Sequence, residues 1–472
     1  MSAFNISDSL KDFCRIVGMN PAEDAFRSLR FEGCDPVLPT RLRFGAIYGI
    51  PAAAAALGIA GIWHERTGTS QNVCVDLVQA AHMVADSPYS SLNGMSYHLP
   101  FVFVPGQYDC PYALQFYPTK DHRLFAPAGF YPHMERKWSE FLSVPATHDA
   151  VSGAIRLWEA EALQEACNRQ GLVGSYVRTK EEWSATEAGR ALSQVPVVRI
   201  TKIAESEPIP WADNPTQPLS GIKVLGNTHE IAGPIVTRAL AGQGADGLQV
   251  SNPKEFWHEH VYLQAAHGVR QAAIDLQCEK DAKVFSRLAR EADVFIENYR
   301  TAGTTAQDNF VPECLVRHHK GLIYVKIHGI AFDGMPWADR GCFDPLAIPM
   351  TGISSIEGSL DHPVYPVGGF LCDNMTGLLA VPAILQALKR RASEGGSYLI
   401  EASLCRTAMW AMDLGVLDKM PDNLPTIKPE LMKIEGKIGT MLRPAPAVHY
   451  SETPDHWSHG LSYRGADAPE WL

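Results

Sequence analysis

Leu219-Ser220-Gly221-Ile222-Lys223-Val224-Leu225 opens the stretch that decides the fold. The β-rich run Ile222 to Leu225 gives way to an apolar helical pattern from Ile231 to Ala241, and then to a second β-rich run, Gly247-Leu248-Gln249-Val250. The alternation continues. Lys280 to Glu291 sets Val284, Leu288 and Ala292 on one helical face, and Val294-Phe295-Ile296 and Leu322-Ile323-Tyr324-Val325-Lys326-Ile327 read as strands. Strands separated by helices need crossover connections, which are right-handed and build a parallel sheet covered on both faces. The expected fold class is α/β: a Rossmann-like parallel sheet with helices on both faces, plus a smaller α/β domain from the first half. In such sheets ligands sit at the carboxyl ends of the strands.

Upstream, the prolines of Pro208-Ile209-Pro210-Trp211-Ala212-Asp213-Asn214-Pro215-Thr216-Gln217-Pro218 mark a linker. Before it lie an Ala-rich helix over about 49–65, a strand Val73-Cys74-Val75-Asp76-Leu77, and helices near 131–143 and 148–169. The expected divisions are an N-terminal segment 1–40, a degenerate half-repeat with a small domain 41–207, a linker 208–218, a Rossmann-like catalytic domain 219–415 and a tail 416–472. A weak echo joins the halves. Pro51 and Pro382 each interrupt an apolar helix that ends in basic residues and leads to a strand, but Phe44-Gly45-Ala46-Ile47-Tyr48 stands where the later copy has an acid.

That acid is Asp373, in Gly368-Gly369-Phe370-Leu371-Cys372-Asp373-Asn374-Met375-Thr376-Gly377, where an apolar run turns into a helix. Two readings stand side by side: a helix cap, or a poised nucleophile or base. The free N–H groups of a first helical turn favour the ionised form in either case.

The 472 residues suffice for two or three domains. A net charge of −11 without a Lys/Arg block argues against a nucleic-acid partner. Ten cysteines without a CxxC pair point to a reducing compartment, and the absence of a leader pattern or membrane-length apolar stretch points to a cytoplasmic protein without a membrane partner. Gly242-Gln243-Gly244-Ala245-Asp246-Gly247 follows a helix and opens a strand, the reverse of a dinucleotide loop, so its glycines read as a helix end and turn. His258-Glu259-His260 and His318-His319 lack metal-ligand spacing and read as surface or satisfied histidines, so no metal site is expected. A G-x-S-x-G elbow is also missing.

Several stretches taken together resemble the family III CoA-transferases, the group that includes α-methylacyl-CoA racemases. They are Leu219 to Leu225, Ala232-Gly233-Pro234-Ile235-Val236-Thr237, Gly244-Ala245-Asp246, Ala292-Asp293-Val294-Phe295-Ile296-Glu297-Asn298-Tyr299-Arg300, and Gly329 through Asp344. The first half, through Arg66 to Leu77, Tyr117 to Arg123 and Val195 to Arg199, resembles the later part of the same family, as in a longer, rearranged or fused member.

The resemblance implies CoA transfer between an acyl-CoA and a carboxylic acid, with Asp373 as the covalent nucleophile that passes through an aspartyl-CoA thioester. It further implies that the backbone of Gly368 and Gly369 serves the oxyanion, that Asn298, Arg300 and Arg270 hold the thioester or its phosphates, and that His229 and Glu230 meet substrate. The CoA thioester is then a co-substrate, with no tightly bound cofactor, and the relatives imply a homodimer. Cys342-Phe343-Asp344 stands where racemases carry Gly-His-Asp, which removes the proton-shuttling His and leaves Asp344 a structural carboxylate. An isomerase, epimerase or cyclase using Asp373 as a base without CoA, and a non-catalytic homologue, remain the alternatives.

Overall fold

The computed structural model describes residues 4–21, 28–96, 110–258, 261–263, 267–299 and 310–472. Its centre is a seven-stranded sheet. The strands in chain order are β1 (Val198–Ala204), β2 (Lys223–Asn227), β3 (Asp246–Ser251), β4 (Arg270–Ala273), β5 (Val294–Glu297), β6 (Ile323–His328) and β7 (Ser397–Ser403). Across the sheet the order is β4-β3-β2-β5-β6-β7-β1. Every pairing from β4 to β7 is parallel, whereas β1 closes the edge antiparallel to β7. All six residues of β6 are buried, as covering both faces of a parallel sheet requires.

Four helices matter for the site: α1 (Phe44–Thr67), α2 (Ala232–Ala241), α3 (Asp344–Thr351) and α4 (Leu371–Glu394). Helices α1 and α4 are 24 residues each and are long and apolar enough to cross a membrane by length and composition. Helix α1 is longer than the span of about 49–65 that the sequence pattern predicts, and both helices exceed the apolar length expected from sequence. In the fold both helices lie almost wholly inside the protein. They cross closely at Gly58, where a Cβ would stand 3.0 Å from the Leu385 side chain. Their apolarity is that of core helices, hydrophobic all round because they are enclosed all round.

The first half also builds a three-stranded sheet from Tyr117–Pro118, Leu124–Ala128 and Val173–Tyr176, flanked by helices Pro132–Leu142, His148–Ile155 and Ala160–Arg169. The helix expected over 148–169 is therefore two. The break is held by Lys120, whose N–H donates to Trp158 O, and by Asp121, whose carboxylate accepts from the N–H of Ala160.

Residues beyond 430 fold back on earlier elements. Gly439–Pro444 pairs with Ser91–Leu92, and Val448–Tyr450 pairs with Val73–Asp76. The Leu472 N–H donates to Asp246 at the start of β3. The proline-rich stretch is pinned as well, because Arg66 donates to the carbonyls of Ala212, Pro218 and Ser220.

Candidate active site

The chain enters α4 through three consecutive residues in the left-handed region, Gly368 (φ 86°), Gly369 (φ 64°) and Phe370 (φ 53°). A Cβ on Gly368 would lie 2.3 Å from Ala85 Cα, so only glycine fits there. The first turn of α4 is capped from another helix. Asp344, at the start of α3, accepts at Oδ2 from Cys372 N (2.5 Å) and Asp373 N (3.1 Å). Asp373 therefore does not serve as the cap. Its half-buried side chain lines a cavity of about 740 Å³.

That cavity opens at the carboxyl ends of β2, β5 and β6, where a parallel sheet presents ligands. His229 and Glu230 reach it from the loop after β2, Asn298 and Tyr299 follow β5, Lys326 and His328 end β6, and Phe130 and Tyr131 come from the small domain. Glu230 is held at φ 61°. Its carboxylate accepts from the Tyr131 hydroxyl, and Oε1 lies 3.3 Å from His258 Nδ1 and 3.6 Å from His229 Nδ1. Asn298 clamps this loop by accepting from His229 N (2.9 Å) and donating to His229 O (2.7 Å). Its amide thus positions the His229 backbone beside the cavity.

Three carboxylates share this region and differ in charge. Burial, then the negative charges of Asp344 and Glu230, push the Asp373 carboxyl well above the usual range. A helix N-terminus favours an anion by only about 0.3–1 kcal/mol, so desolvation and like charge prevail and overturn the expectation that the helix keeps Asp373 ionised. Burial also raises Asp344, to about 6, against the lowering effect of the N–H groups it accepts. Glu230 goes the other way. Burial opposes its charge, but the His258 hydrogen bond, the nearby His229 and the Tyr131 hydroxyl outweigh it and hold Glu230 below the ordinary range.

Asp373, His229, Glu230 and Asn298 are brought together as the sequence suggested. Arg270 is not. It begins β4, at the amino edge of the parallel sheet, and its guanidinium is occupied by Asp246 (2.7 Å) and the Glu470 carbonyl (2.6 Å). Because strands run parallel, a residue that starts one strand lies across the sheet from a site at the strand ends. Gly368 and Gly369 shape the turn into α4, where Gly369 N donates to Pro366 O, and the residues lining the cavity do not include them. Arg300 lies outside the described residues, as do Glu259 and His260.

His258, taken from sequence as a surface or satisfied histidine, lines the cavity and holds Glu230. Tyr131 was also missed. It lies 99 residues before its partner Glu230, and no local pattern marks it. In Cys342-Phe343-Asp344, Phe343 walls the cavity and Asp344 caps α4.

Residues 219–430 match the family model described as CoA-transferase family III. That part of the chain is similar to the family and contains most of the sheet and cavity just described. Among curated relatives, an acetyl-coenzyme A transferase of Hypoxylon pulicicidum is 26% identical over 378 residues, covering 68% of this chain and 63% of that protein. An acyl-CoA transferase of Gibberella moniliformis is 30% identical over 292 residues, covering 58% and 50%. A succinate–glutarate CoA-transferase of Agrobacterium fabrum is 31% identical over 209 residues, covering 40% and 52%. The chain thus spans between half and two thirds of the length of these relatives. A solved structure of a CAIB/BAIF family protein from Brucella suis is 28% identical, with a TM-score of 0.38 over 48% of this chain and 65% of that one.

Proposed function

We propose that this protein transfers coenzyme A from an acyl-CoA thioester to a carboxylic acid, with Asp373 as the covalent carrier. The observation that carries the reading is the placement of Asp373: a carboxylate not used as a cap, facing the strand-end cavity of a region similar to the family III CoA-transferases. The Asp373 carboxylate attacks the thioester carbonyl, and the C–S bond breaks to release CoA thiolate and leave a mixed anhydride. The thiolate then attacks the Asp373 carbonyl, which frees the first acid and forms an aspartyl thioester. An acceptor carboxylate and the same thiolate repeat the two exchanges in reverse, giving the new acyl-CoA and free Asp373.

A carboxylate is a weak nucleophile in water, and anhydrides hydrolyse there, so the chemistry gains from enclosure. The features that raise the Asp373 pKa make its ionised form more basic and so more nucleophilic. Arg136 and Lys137 line the cavity at exposed positions and supply cations suited to the phosphates of CoA.

Incubation with acetyl-CoA followed by borohydride reduction tests the carrier. A reduced aspartyl residue at 373 is expected by mass spectrometry in the native protein and none in Asp373→Asn. An unmodified Asp373 while CoA transfer proceeds would remove the covalent route. The presence of Asp373 and Glu230 in one cavity favours a second reading, proton abstraction next to a carbonyl; substrate-dependent deuterium exchange at that carbon without CoA transfer would establish it.

A further inference from the structure

The cavity around Asp373 is walled by rings. Phe130 packs edge-on against Phe343 (centroids 5.0 Å apart) and lies 5.3 Å from Tyr131, which is 5.8 Å from Phe343. Phe256 extends the wall, 6.1 Å from Tyr131 and 5.1 Å from His258, and remains 48% exposed. Phe370 lines the same cavity from a left-handed backbone position that non-glycine residues seldom take, and its ring packs on Ile231, Ile235 and Val261. Phe130 and Phe343 are half-buried and line the cavity, so part of each ring meets an apolar guest there.

Charge in the cavity narrows the guest further. Glu230 is ionised and held by Tyr131 and His258 within electrostatic reach of Asp373. A second carboxylate on a short acid anchored at Asp373 would meet this anion. Among the described residues, the cations of the inner cavity already face acids: Lys326 with Asp333 (2.5 Å), His328 with Glu401 (3.2 Å) and Arg340 with Glu165 (2.9 Å). Arg136 and Lys137 are exposed, where CoA phosphates would compete for them.

We propose that the acid exchanged at Asp373 is an aromatic monocarboxylate, bound with its ring against Phe130, Tyr131 and Phe343, and that Glu230 rejects short dicarboxylates. This rests on the transferase reading above and specifies its substrate class.

The test is CoA transfer from acetyl-CoA to benzoate, phenylacetate, propanoate, succinate and glutarate, with kcat/KM measured for each and the Asp373 adduct followed in parallel. An aromatic acid should exceed succinate and glutarate by about tenfold or more, a discrimination that one pocket contact commonly supplies. Phe343→Ala should erase about tenfold of the preference for phenylacetate over propanoate. The exposed Phe256→Ala should do the same to a smaller degree and guards against misfolding of the buried variant. Glu230→Gln should narrow the gap between phenylacetate and succinate. Succinate or glutarate transferred as well as the aromatic acids, or an equal loss for every acid in both Phe variants, would overturn the proposal. If the adduct forms and only dicarboxylates accept CoA, the substrate class alone falls. If neither adduct nor transfer occurs with any acid, the parent reading falls and takes this one with it.

Discussion

The amino ends of α1 and α4 are built alike. Asp35, in Gly33-Cys34-Asp35-Pro36, accepts from Gly45 N and Ala46 N, each at 2.8 Å. Asp344, in Gly341-Cys342-Phe343-Asp344-Pro345, accepts from Cys372 N and Asp373 N. In each case the donors are the second and third residues of a 24-residue helix that leads to a strand and then directly to another helix, Leu77–Val84 in one copy and Leu404–Asp413 in the other. The copies part at the third residue. Ala46 is fully buried, whereas Asp373 opens onto the cavity. Because the first copy makes the same capped helix without an acid, the cap explains Asp344 and leaves Asp373 without a structural duty. A carboxylate whose surroundings oppose its ionisation fits the covalent role proposed for it.

Making the copies alike in either direction tests this. Asp373→Ala should lower kcat for CoA transfer by about a thousandfold or more with an unchanged circular dichroism spectrum. A residual rate above a tenth of native would return Asp373 to a structural role. Ala46→Asp places an unpaired carboxylate in the core, and denaturant unfolding should show a loss of about 3–5 kcal/mol.

A subtler change tests the caps by pH, since burial raises the carboxyl of Asp35 as well as that of Asp344. Asp344, with its pKa raised from 3.8 to about 6, contributes stability that is fully present below about 3.8 and lost as pH rises through about 6. Asp344→Asn keeps an acceptor oxygen and cannot ionise. Relative to native protein, it should gain on the order of 2–3 kcal/mol of stability between pH 4 and pH 7. It should also move the acidic limb of the pH–rate profile downward, because one of the charges opposing Asp373 is gone.

The smallest expected effect compares cap removal. At pH 4, where burial of the charge weighs least, Asp35→Ala and Asp344→Ala should each cost about 1–2 kcal/mol by freeing two N–H groups. Only Asp344→Ala should also shift the pH–rate profile, and a shift in both would break the parallel.

Much of the fold was legible because burial on both faces of a parallel sheet leaves continuous apolar runs, as in Leu322 to Ile327, and because helices between them impose crossovers. β4 was not read: Arg270-Gln271-Ala272-Ala273 has little β-rich character, and it is a strand because β3 pairs with it. At the site, the position of Asp373 before an apolar helix was visible locally, and so was an acid-free echo in Phe44 to Tyr48, though only the structure aligns Ala46 with Asp373. Its protonation was misjudged, since the helix end is a local feature while Asp344 and Glu230 reach it through space.

By itself the sequence determined the α/β alternation, the family III pattern and the carboxylate at the head of α4, since each is written in neighbouring residues. Only the tertiary structure decided that Asp344 is the cap, that Tyr131 and His258 hold Glu230 facing Asp373, that aromatic rings wall the cavity, and that Arg270 lies at the far edge of the sheet. These depend on where the ends of strands and loops meet, and contacts between residues tens to hundreds of positions apart leave no periodic trace in the chain.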